Sequence, residues 1–181
     1  LEEINYMSKV LEDLFVLSRS DENQVNLDCE PVDLRALVEE VCKHAEILAE
    51  EKNIKIVFSF LEPTAIKGDE VRLRQMVWNV LQNGIKYTQR GGELKISLQN
   101  EGEFVLLTIQ DTGIGIPEKD LPLIFNRFYR VDKARTRDEG GSGLGLSICR
   151  QIAEAHKGKI EVESKLGVGT RFKIQLPNTA C

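Results

Sequence analysis

The stretch NVLQNGIKYT (residues 79–88) ends an amphipathic helix that the apolar spacing predicts over residues 69–87. At about 100° per residue, Asn79, Asn83 and Lys86 fall within one arc of this helix. Polar residues on the outer face of a helix are usually only solvated. However, two amides one turn apart offer neutral oxygen ligands to a hard cation, and a nearby lysine supplies positive charge for a phosphate. This helix face is therefore a candidate binding surface.

A second motif follows a predicted strand. The strand Phe104–Gln110 runs into DTGIGI (residues 111–116). Alternate residues of a strand share a face, so Asp111 lies on the same apolar face as Ile109. A carboxylate there needs a partner or a ligand, because burying it unpaired is costly. Taken alone, the pattern is equally typical of an aspartate that starts a turn.

A third motif, GGSGLGL (residues 140–146), opens a helix predicted over Gly143–Lys157. Closely spaced glycines let backbone N–H groups approach an anion at the positive end of the helix dipole. The motif is neither a Walker loop nor a dinucleotide fingerprint, because no G-K-[ST] follows it and no strand immediately precedes it. The segment Val131–Ser142 is dominated by charges and glycines, which predicts a mobile loop.

Composition excludes several classes of protein. The chain has 181 residues, of which 41% are hydrophobic, enough for one domain with a sizeable core. Its 24 basic and 29 acidic side chains leave a net charge of −5, which argues against a nucleic-acid-binding surface. No apolar run approaches the roughly 18 residues of a membrane span. The four cysteines lack metal-site or C-x-x-C spacing, so we expect ordinary thiols.

Strand-like and helical patterns alternate irregularly along the chain. A further helix should follow Asp33, a candidate N-cap, and the last two strands are typical of a hairpin around Lys165–Val168. The mixture predicts an α/β two-layer sandwich, with a mixed, largely antiparallel sheet and helices on one face. The predicted strands are Ile54–Leu61, Leu94–Gln99, Phe104–Gln110, Lys159–Ser164 and Gly169–Leu176.

In order and spacing, these motifs resemble the catalytic and ATP-binding domain of sensor histidine kinases. That superfamily also includes gyrase, the ninety-kilodalton heat-shock chaperone and the mismatch-repair ATPase. The run FNRFYR (residues 125–130) lies between the second and third motifs, as in the family. The family's asparagine box reads N-x-x-x-N-A-x-K-Y-T, and here Gly84 replaces the alanine. A sheet-facing glycine in this helix should cost about 1 kcal/mol of helix propensity.

The resemblance also implies a domain organisation. Residues 33–178 would form a Bergerat-type ATP-binding domain, with an ATP lid at residues 131–142. In the first helix, apolar residues recur at steps of three and four, as in a bundle or coiled coil. By the resemblance, residues 1–20 would be the end of the second helix of the dimerisation and phosphoacceptor domain. Residues 21–32 would be a linker with a short strand.

By the same resemblance, three residues are candidates for catalysis: Asn83 would coordinate Mg²⁺, and Lys86 and Arg130 would approach the phosphates. Asp111 would accept a hydrogen bond from the adenine amino group, and Thr170 would sit beneath the base. Phe125 and Phe128 would anchor the lid. The other implied nucleotide contacts are Asn79, Tyr87, Gly113, Gly115, Ile116, Phe128, Gly141, Gly143, Leu144, Gly145 and Leu146.

The implied activity is transfer of the γ-phosphoryl of Mg²⁺–ATP to a histidine on an upstream helix that this chain lacks. The implied partners are a response regulator receiver domain and, through the helix bundle, a second copy of the parent protein. We expect a cytoplasmic domain whose parent is membrane-anchored upstream. Two alternatives remain: a protein-serine kinase of the anti-sigma-factor type, and a nucleotide-binding regulatory module without transfer activity.

Neither of the chain's two histidines fits the role of phosphoacceptor. His44 lies inside a predicted helix and lacks the acidic residue that usually follows a phosphoacceptor histidine directly. His156 ends its predicted helix, where a partly positive imidazole would interact favourably with the helix dipole.

Overall fold

The computed structural model describes residues 27–131 and 142–179. Within them, five strands form one sheet, two short strands form another, and three helices pack together. The strands are β1 (Glu30–Asp33), β2 (Lys55–Leu61), β3 (Ala65–Gly68), β4 (Glu93–Glu101), β5 (Phe104–Asp111), β6 (Lys159–Lys165) and β7 (Gly169–Pro177). The helices are α1 (Leu34–Glu51), α2 (Glu70–Tyr87) and α3 (Gly145–Ala155), and Glu118–Leu123 form a short 3₁₀ helix. Outside the described residues lie the predicted first helix, half of the linker, Gly141 and nearly all of the predicted lid.

The predicted sandwich with a mixed sheet is confirmed. The order of the large sheet is β2-β4-β5-β7-β6, in which only β2 and β4 pair in parallel. The predicted hairpin joins β6 to β7. Strand β3, which pairs with β1, was missed because four residues are too few to show a period.

One hydrophobic core contains buried side chains from Val32 to Leu176. Helix α1 starts at Asp33, as predicted, where the carboxylate accepts a hydrogen bond from the N–H of Ala36 at 2.9 Å. Helix α2 packs against both α1 and α3 and also reaches β4 and β5. Among the described residues, no helix combines the length and apolarity needed to cross a membrane.

The side chain of Lys52 caps the C-terminal end of helix α2. Its ammonium donates to the carbonyl oxygens of Ile85 at 3.1 Å and Lys86 at 2.8 Å. The last carbonyls of a helix have no partner within the helix, so an outside donor stabilises this end. The contact fixes the turn of α2 that carries the asparagine motif.

His156 joins the end of α3 to the start of α2. Its Nε2 atom accepts a hydrogen bond from the N–H of Asp69 at 3.0 Å, and Nδ1 lies 2.8 Å from the carbonyl oxygen of Ile152, so Nδ1 carries the proton. Complete burial lowers the pKa of the imidazole, outweighing that carbonyl and the Asp69 charge, which raise it. The expectation of a partly positive imidazole is therefore wrong, because Nε2 must stay unprotonated to accept.

Gly84 lies where helix α2 meets strand β4. A Cβ atom added here would lie 3.0 Å from Cδ2 of Leu94, a fully buried side chain. The glycine faces the sheet, as predicted. The alanine of the related motif would require Leu94 to shift by a few tenths of an ångström, so close packing offsets part of the helix-propensity cost.

The cysteines follow the prediction only in part. Cys42 and Cys149 are free and buried, and burial raises the pKa of the Cys42 thiol to about 12. Cys29 is disulfide-bonded, so the expectation of an ordinary thiol is wrong there. Spacing rules identify patterned cysteines, whereas pairing depends on positions in the fold.

Replacing His156 with alanine should lower the free energy of unfolding by roughly 2–3 kcal/mol at pH 7.5, because a buried N–H and a carbonyl lose their partner. Below about pH 6.5, unfolded His156 binds a proton more readily than the folded form, so wild-type stability should fall as the pH drops. Urea unfolding at pH 7.5 and 5.5 should show a smaller decline in His156→Ala than in wild type. The exposed His44→Ala variant should keep the wild-type decline, and an equal decline in His156→Ala would contradict the assignment.

Candidate functional site

Contacts at the middle and at the end of helix α2 bring four segments together. The N–H of Ile114, in the loop after β5, donates to the carbonyl of Tyr87 at 3.2 Å. The N–H of Gly167, in the β6–β7 turn, donates to the carbonyl of Ile114 at 2.7 Å. The Asn79 amide nitrogen lies 3.4 Å from the carbonyl oxygen of Gly145, at the start of α3. The three sequence motifs, which are far apart along the chain, therefore adjoin one another.

Asp111 is buried at the end of β5, on the same side of the strand as Leu107 and Ile109. Its Oδ1 atom accepts hydrogen bonds from the N–H groups of Gly113 at 2.8 Å and Thr170 at 3.2 Å. Burial raises the pKa of this carboxyl, and the two N–H bonds oppose that shift. In the described part of the chain no hydrogen bond reaches Oδ2, so this oxygen can accept one from a ligand.

The glycines of the DTGIGI loop allow it to lie between α2 and the β6–β7 hairpin. A Cβ atom on Gly113 would lie 2.6 Å from the carbonyl oxygen of Tyr87. On Gly115, where φ is 70°, it would lie 2.1 Å from the carbonyl oxygen of Lys165. Larger residues would push the loop away from both neighbours. The glycines thereby keep Asp111 next to the end of α2.

A hydroxyl network joins this loop to the hairpin. The Oγ atom of Ser164 accepts from the N–H of Ile116 at 2.8 Å, donates to the carbonyl of Gly169 at 2.9 Å and lies 2.9 Å from Oγ1 of the buried Thr170. Thr170 and Ile116 were predicted as contacts, whereas Ser164 was missed. A single serine on a strand carries no sequence signal, because its partners come from other segments.

The two asparagines on the predicted polar face of α2 have different surroundings. Asn79 is buried, and its amide nitrogen is directed at the first residue of α3, Gly145. Asn83, one turn later, is half-buried. The Lys86 ammonium lies 5.4 Å from the ring centroid of Tyr87, whose side chain is exposed. Asn79 therefore holds the start of α3, and Asn83 is the amide better placed to contact a ligand.

The start of α3 can attract an anion. Its N-cap residue, Leu144, makes no side-chain capping bond, and no acidic residue lies in the first turn. The N–H groups of that turn therefore form the positive end of the helix dipole, and no acidic side chain in the same turn neutralises this positive charge. The side chains of Leu144 and Leu146 pack in or against the core, so their contacts to a ligand would come from the backbone. Gly143, just before, has φ 71°.

The FNRFYR run leads toward the predicted lid. Phe125 packs edge-to-face on Phe172, with ring centroids 6.5 Å apart, and so holds this run against strand β7. The ring of Phe128 is 58% exposed, and its predicted role as an anchor of the lid stays a prediction, because nearly all of the lid lies outside the described residues. Its backbone N–H donates to the carbonyl of Gly143 at 3.0 Å. Arg130 is half-buried near the end of the first described range.

Asp120 gives the same run a second attachment. This carboxylate in the 3₁₀ helix is buried, and it accepts a hydrogen bond from the hydroxyl of Tyr129 at 2.7 Å. The bond raises the pKa of the Tyr129 hydroxyl. The bond between them was not predicted. In the sequence Asp120 indicates only a turn, and Tyr129 indicates only an aromatic anchor.

Comparison with known proteins shows the family of this chain. The family described as histidine kinase-, DNA gyrase B-, and HSP90-like ATPase matches residues 68–180. The signal transduction histidine-protein kinase ArlS of Staphylococcus epidermidis is 36% identical over 177 residues, which are 98% of this chain and 39% of ArlS. The chain thus spans about two fifths of that relative.

Two solved structures are also similar. The catalytic domain of histidine kinase ThkA is 31% identical, with a TM-score of 0.75 over 84% of this chain and 97% of that domain. Full-length ShkA, solved in complex with AMPPNP, is 27% identical, with a TM-score of 0.87 over 99% of this chain and 37% of ShkA. The family match, the relatives and the arrangement of the three motifs agree. The chain therefore belongs to the histidine kinase-, DNA gyrase B- and HSP90-like ATPases, and within them to the ATP-binding catalytic domains of sensor histidine kinases.

Proposed function

We propose that this domain binds Mg²⁺–ATP at the described site and that the whole protein transfers the γ-phosphoryl group to a histidine on an upstream helix. The observation that carries the proposal is the buried Asp111 carboxylate, which has one oxygen held by two backbone N–H groups and the other available. Helix α2 links this acceptor to a glycine-rich helix start suited to phosphate, because its Gly84 faces Asp111 and its Asn79 contacts Gly145. The site thus combines an acceptor for the base with an anchor for the phosphates.

The base would bind at the end of β5. Oδ2 of Asp111 accepts a hydrogen bond from the adenine amino group, Thr170 lies beneath the base, and the exposed ring of Tyr87 flanks it. Gly113, Gly115 and the backbone of Ile116 form the adjacent loop. Because Asp111 is buried, a base without a matching donor would leave an unpaired polar group, which costs about 1–3 kcal/mol.

The phosphates would bind at the start of α3. Backbone N–H groups of Gly143, Gly145 and Leu146 supply donors there, together with Gly141 just upstream. The N–H of Leu144 donates to the Ser142 hydroxyl at 3.3 Å and would exchange this bond for one to a phosphate oxygen. Lys86 and Arg130 supply positive charge, which stabilises the charge that develops during phosphoryl transfer. Positioning and electrostatics, rather than covalent chemistry by the protein, would account for most of the catalysis.

Mg²⁺ would be held mainly by the nucleotide. Among the described residues, no group of three or more histidine, cysteine, aspartate or glutamate side chains could hold a metal ion. A single amide oxygen suits Mg²⁺, which keeps several waters and binds phosphate oxygens. Asn83 supplies that oxygen one turn beyond Asn79, whose amide reaches the start of α3. The bound ion would neutralise charge on the phosphates.

The acceptor histidine, the partners and the location concern the whole protein. We place the acceptor on an upstream helix that this chain does not include, and residues 1–20 at the end of that helical hairpin, through which two copies would dimerise. The phosphoryl group would pass to the receiver domain of a response regulator in a two-component system. The domain would be cytoplasmic, below an upstream membrane anchor. The histidine kinases among its relatives support this function over that of a serine kinase or a non-transferring module.

Replacing Asp111 with asparagine should weaken ATP binding at least tenfold with little loss of stability. The variant keeps one oxygen, which can accept from the N–H groups of Gly113 and Thr170. An NH₂ group replaces the other oxygen, and this donor faces the amino group of adenine, which is also a donor. Titration calorimetry measures the affinity, and urea unfolding checks the fold. The control is Asp33→Asn, which alters a carboxylate that caps α1 and should bind ATP normally. Equal ATP affinity in Asp111→Asn and wild type would refute the base-binding role.

Replacing Asn83 with alanine should weaken ATP binding at least tenfold, about 1.4 kcal/mol, when Mg²⁺ is present. With EDTA the affinity should change little, because the lost contact is to the metal. The control is Gln75→Ala, which removes an amide two turns earlier on α2 and should keep the Mg²⁺ effect. A loss of equal size with and without Mg²⁺ would show that Asn83 does not act through the metal.

The domain alone should bind ATP without labelling itself on histidine. Both ring nitrogens of the buried His156 are hydrogen-bonded, and His44 lies on the exposed side of α1. Transfer requires the acceptor nitrogen in line with the γ-phosphate. Incubation with γ-labelled ATP should give no acid-labile label, whereas an added helical hairpin carrying the histidine should be labelled slowly, since no tether raises its local concentration. Stoichiometric phosphohistidine on the domain itself would contradict this.

A further inference from the structure

The hydroxyl of Ser164 contacts three residues beside the proposed base-binding site. It contacts the N–H of Ile116 at 2.8 Å, the carbonyl oxygen of Gly169 at 2.9 Å and the hydroxyl of Thr170 at 2.9 Å. The first belongs to the loop after Asp111, and the other two belong to the start of β7. The half-buried Ser164 is therefore bonded on three sides, as many bonds as a hydroxyl can make.

Counting protons sets the direction of the bond to Thr170. A serine hydroxyl has one proton and two acceptor sites. The N–H of Ile116 can only donate, so it uses one acceptor site, and the carbonyl of Gly169 can only accept, so it takes the proton. The second acceptor site then faces Thr170, which must donate its own proton to Ser164.

This direction determines what Thr170 offers to a ligand. Its proton is committed to Ser164, so its oxygen has only acceptor capacity left. The next bond in the network is also fixed, because the N–H of Thr170 donates to Oδ1 of Asp111 at 3.2 Å. Beside the end of β5, where the base would bind, Asp111 and the hydroxyl of Thr170 therefore both act as acceptors. An amino group satisfies such a surface, whereas a carbonyl oxygen finds no hydroxyl donor there.

We infer that Ser164 is a positioning residue for purine selection, which holds the Thr170 hydroxyl as an acceptor and so favours a 6-aminopurine over a 6-oxopurine. The inference rests on the proposed function, since it requires the base to bind beside Asp111. Ser164 itself does not touch the nucleotide. Without it, the Thr170 hydroxyl can turn and donate its proton to the 6-oxo group of inosine or guanine.

The test compares ATP with inosine triphosphate, which carries an oxygen in place of the 6-amino group and a proton on N1. Calorimetry should show that Ser164→Ala lowers the preference for ATP over inosine triphosphate by roughly fivefold or more, the effect of one hydrogen bond. Ser164→Thr, which restores a hydroxyl, should recover the preference. In a Thr170→Val background the same Ser164→Ala change should leave the preference unaltered, because the residue through which Ser164 acts has lost its hydroxyl.

The control is Ser59→Ala, which removes the hydroxyl of an exposed serine on the edge strand β2. That hydroxyl donates to the carbonyl of Ile96 on β4, so its loss should not change the preference. If Ser164→Ala fails to fold, Ser164→Cys has a similar shape with a weak donor and should show the same shift. A Ser164→Ala variant that loses affinity for both nucleotides in equal proportion would overturn the inference while leaving ATP binding intact. A wild-type domain that binds neither nucleotide would instead overturn the proposed function.

Discussion

The cost of burying the Asp111 carboxylate governs the arrangement of the site. An unpaired charge at this depth would be strongly unfavourable, so the surrounding chain supplies two backbone N–H groups to one oxygen. Supplying them requires the tight turn at Gly113 and the close approach of β7 at Thr170. The geometry that solvates one carboxylate oxygen also brings the loop and the hairpin together, and it leaves the other oxygen for a ligand.

Helix α2 connects this carboxylate to the rest of the domain. Its start is tied to α3 through His156, its middle contacts the start of α3 through Asn79, and its last carbonyls are held by Lys52 from the end of α1. These contacts come from different segments, and two of them are substantially buried. Because α2 is held along its whole length, Asn83 and Lys86 keep a defined position relative to α3. The ligand surface is thereby preorganised, which lowers the cost of ordering it on binding.

The fold was largely predictable because its long elements have clear periods. Helices α1 and α2 and all five strands of the large sheet were predicted from their apolar patterns, and only a short turn separates β6 from β7. Strand β3 was missed because a four-residue strand cannot display a period. His156 was misjudged because a terminal position on a helix indicates the dipole but not the surroundings. Burial lowers the pKa of the imidazole, and Nε2 accepts from the N–H of Asp69, 87 residues away in the chain.

The sequence by itself determined the fold class, the family and the acidic residue at the end of β5, because these depend on periodicity and on spacing within a few residues. Only the tertiary structure decided what each polar group does. Asn79 and Asn83 look equivalent on a helical projection, yet Asn79 is the one whose amide reaches α3. Ser164 resembles any solvent-facing serine of a strand until Ile116 and Gly169 are seen around it. A hydrogen bond depends on a partner within about 3 Å, and residues distant in sequence reach that separation only when the chain has folded.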